Sequence, residues 1–234
     1  MRAAVEKYMS PRILMTARLV PECESVCDIG TDHGYLPVWL AQNRRARRII
    51  AADIRKGPLA QAKKTLAAFG LENEIELRLS DGFENFARGE CSCAVIAGMG
   101  GETIAGIMAN DIGTERFVLQ PQSAHAELRA YLCDNGYKIE REELCAEGRK
   151  MYAAMLVRRG ESRRLTRAEL EIGPILIEQK HPLLKKYIAY RMHEIDCVLK
   201  ALENAKNADE RRAEYKYLKA QYEKISNGGI YGNA

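Results

Sequence analysis

Asp28-Ile29-Gly30-Thr31-Asp32-His33-Gly34-Tyr35-Leu36-Pro37 joins two apolar stretches, and the way it joins them decides the fold. Residues 25–29 suit a buried strand, and residues 35–43 carry Leu36, Val38, Trp39 and Leu40 as the apolar part of a following helix. Gly30 and Gly34 let the backbone between them adopt conformations closed to other residues and approach a ligand closely. The spacing is neither the G-x-G-x-x-G dinucleotide fingerprint nor the G-K-[ST] ending of a phosphate loop. It reads as a turn that binds some other cofactor.

Working outward, residues 9–20 read as a helix with Ser10 as N-cap, Pro11 in the first position, and Leu14, Ala17, Arg18 and Leu19 at helical spacing. A second strand at residues 49–52 ends at Asp53, and residues 56–69 form an amphipathic helix with Leu59, Ala62, Leu66 and Phe69 on one side, closed by Gly70. Residues 75–79 alternate as a strand and run into Ser80-Asp81-Gly82. Residues 93–97 are continuously apolar, as in a central parallel strand, and end in Gly98-Met99-Gly100-Gly101. A helix through Ile104 and Ile107, a strand at 116–120 and a helix through Leu128, Tyr131 and Leu132 follow; residues 137–144 and 151–158 close the run as a hairpin turning at Glu147-Gly148. Strand–helix units followed by a hairpin predict a doubly wound, mostly parallel α/β sheet with one reversed strand at or near its edge.

Beyond Gly160 the texture changes, which divides the chain into residues 1–160 and an appendage of residues 161–234. The segment 165–177 is helical but interrupted at Gly173-Pro174, and Pro182 opens a longer helix in which Ile188, Arg191, Ile195, Val198, Leu202 and Ala205 recur at steps of three and four. After a break at Asn207-Ala208-Asp209, Tyr215, Leu218, Tyr222 and Ile225 repeat the step, the seam of an antiparallel α-helical coiled-coil hairpin with a Gly/Asn-rich tail from Asn227. The charge follows the division. Residues 1–160 carry 22 Lys and Arg against 21 Asp and Glu, and residues 161–234 carry 14 against 11, a basic appendage suited to a polyanion or simply a solvated helix pair.

With 47% hydrophobic and 29% charged residues the chain is globular, and no apolar run is long enough to span a membrane. Residues 1–10 carry Arg2, Glu6 and Lys7 and lack the apolar core of a signal peptide, so a cytoplasmic protein is expected. Seven cysteines without a C-x-x-C spacing read as reduced core thiols, and no metal site is expected.

In an open α/β sheet, ligands bind beyond the carboxyl ends of the strands. Four features fall there: residues 28–34, Asp53, Asp81 and residues 98–101. An acidic residue with glycines two and six positions later is the first motif of Rossmann-like class I methyltransferases that use S-adenosyl-L-methionine. Asp53 suits both ribose hydroxyls, Asp81 an adenine amino group, and the turn the methionine end near a helix N-terminus. Each aspartate taken alone is equally an N-cap or turn former.

The strings at residues 28–37 and 96–101, with Leu119-Gln120-Pro121-Gln122 and Glu147-Gly148-Arg149-Lys150-Met151-Tyr152, resemble the bacterial tRNA adenine-22 N1-methyltransferase family over nearly the whole chain. One departure is Ala153-Ala154 after Tyr152, where an acidic and then larger apolar residues are expected. The resemblance implies methyl transfer from S-adenosyl-L-methionine to N1 of an adenine in the D-arm of tRNA. It implies a cofactor site of Asp28, Gly30, Thr31, Gly34, Asp53, Ile54, Asp81, Gly82, Gly98 and Met99. Asp32 and His33 are candidates for orienting base or cofactor, or for holding the turn. Candidate tRNA contacts are Arg12, Arg18, Gly100, Gly101, Gln120, Lys185, Lys186, Arg211 and Arg212, with Lys216, Lys219 and the basic run at residues 44–48; residues 98–101 would be a glycine floor under a flat base. Two other readings stand beside this one: a small-molecule methyltransferase whose hairpin only dimerises, and a non-catalytic cofactor-sensing RNA-binding protein.

Overall fold

The structure is a computed structural model that describes residues 4–203, 205 and 208–228. Seven strands form one sheet in the order β3-β2-β1-β4-β5-β7-β6. They are β1 (Cys23–Ile29), β2 (Ala46–Asp53), β3 (Ile75–Leu79), β4 (Cys93–Gly100), β5 (Arg116–Ser123), β6 (Tyr137–Glu147) and β7 (Lys150–Arg159). Pairings are parallel from β3 to β5, and β7 runs antiparallel to both β5 and β6. The one reversed strand is therefore next to the edge, within the expected range. Every strand is as long as expected or longer, because β2, β5 and the hairpin continue through polar residues that periodicity alone leaves out.

Helices α1 (Pro11–Leu19), α2 (Tyr35–Gln42) and α3 (Lys56–Ala68) cover one face, where Leu19, Val38, Leu40 and Leu66 pack on Val26, Ile49 and Val95. Helices α4 (Gly101–Ala109) and α5 (His125–Asp134) cover the other, with Ile104 and Leu128 against Ile50, Ile96 and Phe117. Ser10 caps α1 as expected, its hydroxyl accepting from Ile13 N at 3.4 Å, with Pro11 following. Because β4 is covered on both faces, residues 93–96 are all buried, the physical reason for the unbroken apolar run.

Short helices α6 (Arg167–Ile172) and α7 (Pro174–Glu178) lead into α8 (Leu184–Leu202) and α9 (Asp209–Ser226). Ile188 and Ile195 meet Leu218, Tyr222 and Ile225 in the expected seam, with Leu199 rather than Val198 packed against them. Asp196 bonds Lys219 at 2.6 Å and Arg212 donates to the Leu202 carbonyl at 2.6 Å, so the pair is antiparallel. Arg191 departs from the apolar seam: it holds Glu171 at 2.8 Å and Glu194 at 3.0 Å. Asn207 of the expected break and the tail beyond Gly228 lie outside the described residues.

These helices share a third core with Leu144, Met151 and Ala153 of the hairpin. Ala153 and Ala154, the departure from the family pattern, are buried on opposite faces of β7, one in this core and one in the core beneath α1. A buried ion pair ties the join: Arg129 of α5 and Glu142 of β6 stand 2.8 Å apart with both side chains fully buried. Arg129 donates to the Leu170 carbonyl at 2.7 Å at the end of α6, and Glu142 accepts from Ile175 N at 2.9 Å at the start of α7. One charge thus satisfies a carbonyl end and the other an N–H end of two adjoining helices. A Cβ on Gly173 would lie 2.7 Å from both Glu142 carboxylate oxygens, which explains the glycine of the kink.

Candidate functional site

At the carboxyl end of the sheet a cleft of about 430 Å³ opens over β1, β2 and β4. The turn after β1 is pinned to the end of β2, since Gly30 N and Thr31 N both donate to the Ala52 carbonyl, at 2.8 and 2.9 Å. Gly30 has φ +82° and a Cβ there would stand 2.3 Å from Met99 Cε, so glycine lets the end of β4 close against the turn. Gly34, with φ +74°, begins α2, and its added Cβ would fall 3.1 Å from the Ala62 backbone. One glycine serves the approach of two strands and the other the approach of two helices.

Asp28 lies under this turn, 4% exposed and without an ion-pair partner among the described residues. Burial pushes its carboxyl up to about 7. The Thr31 hydroxyl is also buried and unpartnered. Asp53 uses one carboxylate oxygen to accept from Arg55 N at 2.8 Å, which orients the other. A buried acid, an orphaned hydroxyl and an oriented carboxylate fit a ligand carrying a cation and a diol.

The cleft brings together Arg12, Asp28, Gly30, Thr31, Asp32, His33, Asp53, Gly98 and Met99 from the expected set. It leaves out Gly34, Ile54, Asp81 and Gly82. Ile54 is 57% exposed and Leu79 43%, two apolar side chains on the rim beside Asp53, while Gly82 packs beneath Ile107 of α4. Asp32 and His33 are exposed at the mouth, 3.3 Å apart, and His33 stacks on Tyr35 at 6.1 Å; Asp32 carries a left-handed φ of +42°.

Three expectations for the substrate side need correcting. Gly101 offers no room for a base, since a Cβ there would lie 2.2 Å from the Ala124 carbonyl, and Gly100, whose added Cβ would lie 3.2 Å from the Ser123 hydroxyl, does not line the cleft. Gln120 is fully buried and fully engaged, accepting from Arg12 Nη1 at 2.8 Å and Gly98 N at 3.2 Å while donating to the Pro121 carbonyl at 2.8 Å. It positions Arg12 and the Gly98 loop. The basic run at residues 44–48 lies at the amino end of β2, opposite the cleft, where Arg47 pairs with Glu24 and Arg48 with Glu76 and Glu90.

Arg12 itself lies 5.6 Å over the Tyr152 ring and within the cleft, whereas Arg18 pairs with Glu6 at 3.6 Å. Lys185, Lys186 and Arg211 are exposed on α8 and α9; Arg212 instead closes the turn between them. Ile13, Tyr35, Leu36, Arg55, Ala97 and Gln122 also line the cleft. Tyr35, Leu36, Ala97 and Gln122 fall within the strings that carry the family resemblance, whereas nothing in the sequence marked Ile13 or Arg55. All seven cysteines are free, and among the described residues no His, Cys, Asp and Glu cluster could hold a metal.

A sheet of this order, with a glycine turn closed over a buried acid and a second oriented acid one strand away, defines a Rossmann-like class I methyltransferase. The chain belongs to the tRNA (adenine(22)-N(1))-methyltransferase family, whose model matches residues 26–227. It is 28% identical to the tRNA (adenine(22)-N(1))-methyltransferase of Bacillus subtilis over 91% of this chain and 93% of that one. A Streptococcus pneumoniae protein solved in complex with S-adenosyl-L-methionine is 28% identical with a TM-score of 0.82, the match covering 93% of this chain and 99% of that one. TrmK of M. capricolum, solved with S-adenosyl-homocysteine, is 26% identical with a TM-score of 0.75, over 94% and 97%.

Proposed function

We propose that this chain transfers a methyl group from S-adenosyl-L-methionine to N1 of adenine 22 in tRNA. The observation that carries the reading is the convergence of Asp28, Thr31, Asp53 and Gly98 on one cleft in a chain of this family. Asp28 faces the cofactor's amino group, because a buried carboxyl without an ion-pair partner among the described residues is stabilised in its ionised form by a cation beside it. The Thr31 hydroxyl meets the same end of the molecule, and Asp53 accepts from the ribose hydroxyls. Ile54 and Leu79 cover the adenine, with Asp81 at its amino group.

When bound, the cofactor supplies a methyl carbon on a cationic sulfur; the N1 lone pair takes that carbon, the C–S electron pair stays on sulfur, and the positive charge passes to the purine. N1 carries no proton, so no base has to act before attack, and the work of the protein is alignment. Because N1 lies on the pairing edge, the base turns out of its helix to enter. Exposed Lys185, Lys186 and Arg211 contact tRNA phosphates, while Asp32 and His33 orient the base or the cofactor at the mouth. Residues 1–160 form the cofactor-binding part and residues 161–234 the tRNA-docking part. A tRNA substrate and seven free thiols suit the cytoplasm.

The test is methyl transfer to an unmodified tRNA transcript, followed by mapping of the product nucleoside. N1-methyladenosine at position 22 is expected. A methylated metabolite beside unmethylated tRNA, or cofactor binding without turnover, would replace this reading with one of the two alternatives.

A further inference from the structure

Gln120 and Gln122 stand two residues apart on β5, both beside Gly98, yet they are used differently. Gln120 is sealed in with every amide group engaged. Gln122 is exposed, lines the cleft, and its amide makes no hydrogen bond with a described residue. Its Nε2 lies 3.5 Å from the point a Cβ on Gly98 would occupy, so the amide is held over the glycine that floors the cleft. The β4–β5 register slips here: Met99 pairs with Pro121 and Gly100 with Ser123, leaving Gln122 without a partner opposite the bulge. Bulges of this kind re-aim side chains beside active sites.

Resting on the reading above, we propose that Gln122 recognises the target adenine by its Hoogsteen edge, Oε1 accepting from the N6 amino group and Nε2 donating to N7. N1 must face the methyl donor, so the pairing edge is not free for recognition. What remains to distinguish adenine is a donor at N6 beside an acceptor at N7, the pattern a primary amide complements. Guanine offers two acceptors there and sets its O6 against the amide oxygen. The position is right as well. β5 lies three strands from β2, about 14 Å at ordinary strand spacing, so Gln122 faces the β4–β5 side of the cleft while Asp53 holds the other. As positive charge reaches the purine, the N6 hydrogens become stronger donors, so the contact tightens in the transition state and acts on kcat.

The experiment uses the full chain and tRNA transcripts with either adenine or 7-deazaadenine at the target position; the latter replaces N7 by C–H. Gln122→Ala should lower kcat/KM on the adenine transcript by about 5- to 150-fold, the range of a bidentate amide–adenine pair. Wild type should lose more on 7-deazaadenine than Gln122→Ala does, by a ratio of at least about threefold, part of that same range. Gln122→Glu should prefer 7-deazaadenine, since its second carboxylate oxygen no longer meets the N7 lone pair. Equal responses of wild type and Gln122→Ala to loss of N7 would overturn the proposal while leaving the tRNA reading intact. No methylation of the adenine transcript by wild type would overturn both, and is told apart by that control. Gln122 is exposed and has no hydrogen-bond partner among the described residues, and the base analogue leaves the protein unchanged, so neither arm depends on a folding defect.

Discussion

Replacing Asp28 by Asn should change stability and cofactor binding in opposite senses, and the pH dependence of each should reveal why. The carboxyl goes from an ordinary value of 3.8 to about 7 in the fold. Between about pH 4 and 7 the folded chain keeps a proton that the unfolded chain has released, so this group lowers stability as pH rises. At 1.36 kcal/mol per pH unit the full effect is about 4 kcal/mol, reached near pH 7 and flat above it. Asparagine cannot ionise. Its stability relative to wild type should therefore climb across the window and be greatest at pH 7 and above. Urea titrations of both proteins at half-unit steps from pH 5 to 8.5 measure that difference, and subtraction removes the other titrating groups. Calorimetric binding of S-adenosyl-L-methionine supplies the other half. Wild-type affinity should rise up to about tenfold per pH unit below 7 and then level off, because the cationic ligand selects the ionised carboxylate; the Asn variant should bind weakly at every pH. A constant offset between the two stability curves, or pH-independent wild-type affinity, would refute the burial argument.

Asp53→Ala should cost about 1–3 kcal/mol of cofactor affinity by titration, the worth of ribose hydrogen bonds to a charged acceptor, with little change in melting temperature. Glu142→Ala leaves Arg129 buried without its partner and two α7 amides unmet, so denaturant unfolding should show a loss of about 3–5 kcal/mol. The apolar double variant Arg129→Met/Glu142→Leu should recover much of it. Lys186→Ala with Arg211→Ala should weaken tRNA binding uniformly across sequences and reduce the slope of log affinity against log salt by about 2, with cofactor binding unchanged.

The parallel part of the sheet was legible because β1, β2 and β4 each carry an apolar run that meets an aspartate or a glycine, β3 alternates, and strands covered on both faces have little choice of residue. The cleft was legible in part for a related reason: Asp28, Gly30, Asp53 and Gly98, which line it, sit at strand ends, where a linear pattern marks them. The substrate side was not. Glycines 98, 100 and 101 look alike in sequence, yet only the first lines the cleft; Gly100 faces the Ser123 hydroxyl and Gly101 the Ala124 backbone. Likewise Gln120 and Gln122 look equivalent in sequence, yet Gln120 is buried and bound to Arg12, a contact spanning 108 positions, and to Gly98, while Gln122 is exposed. The basic run at residues 44–48 is the same lesson in charge: counting arginines does not reveal that Glu24, Glu76 and Glu90 converge on them.

The kinked strap between sheet and hairpin bears on how such a chain can diversify. A coiled coil joined only by a linker could be exchanged for any other appendage. Here Arg129 and Glu142 belong to α5 and β6, but their partners are backbone groups of α6 and α7. An exchange that removed those short helices would strand two opposite charges inside the protein. Variation in the reach or charge of the helical arm is therefore easier to accommodate distal to the strap, in α8 and α9, where a change in length or surface leaves the buried pair untouched.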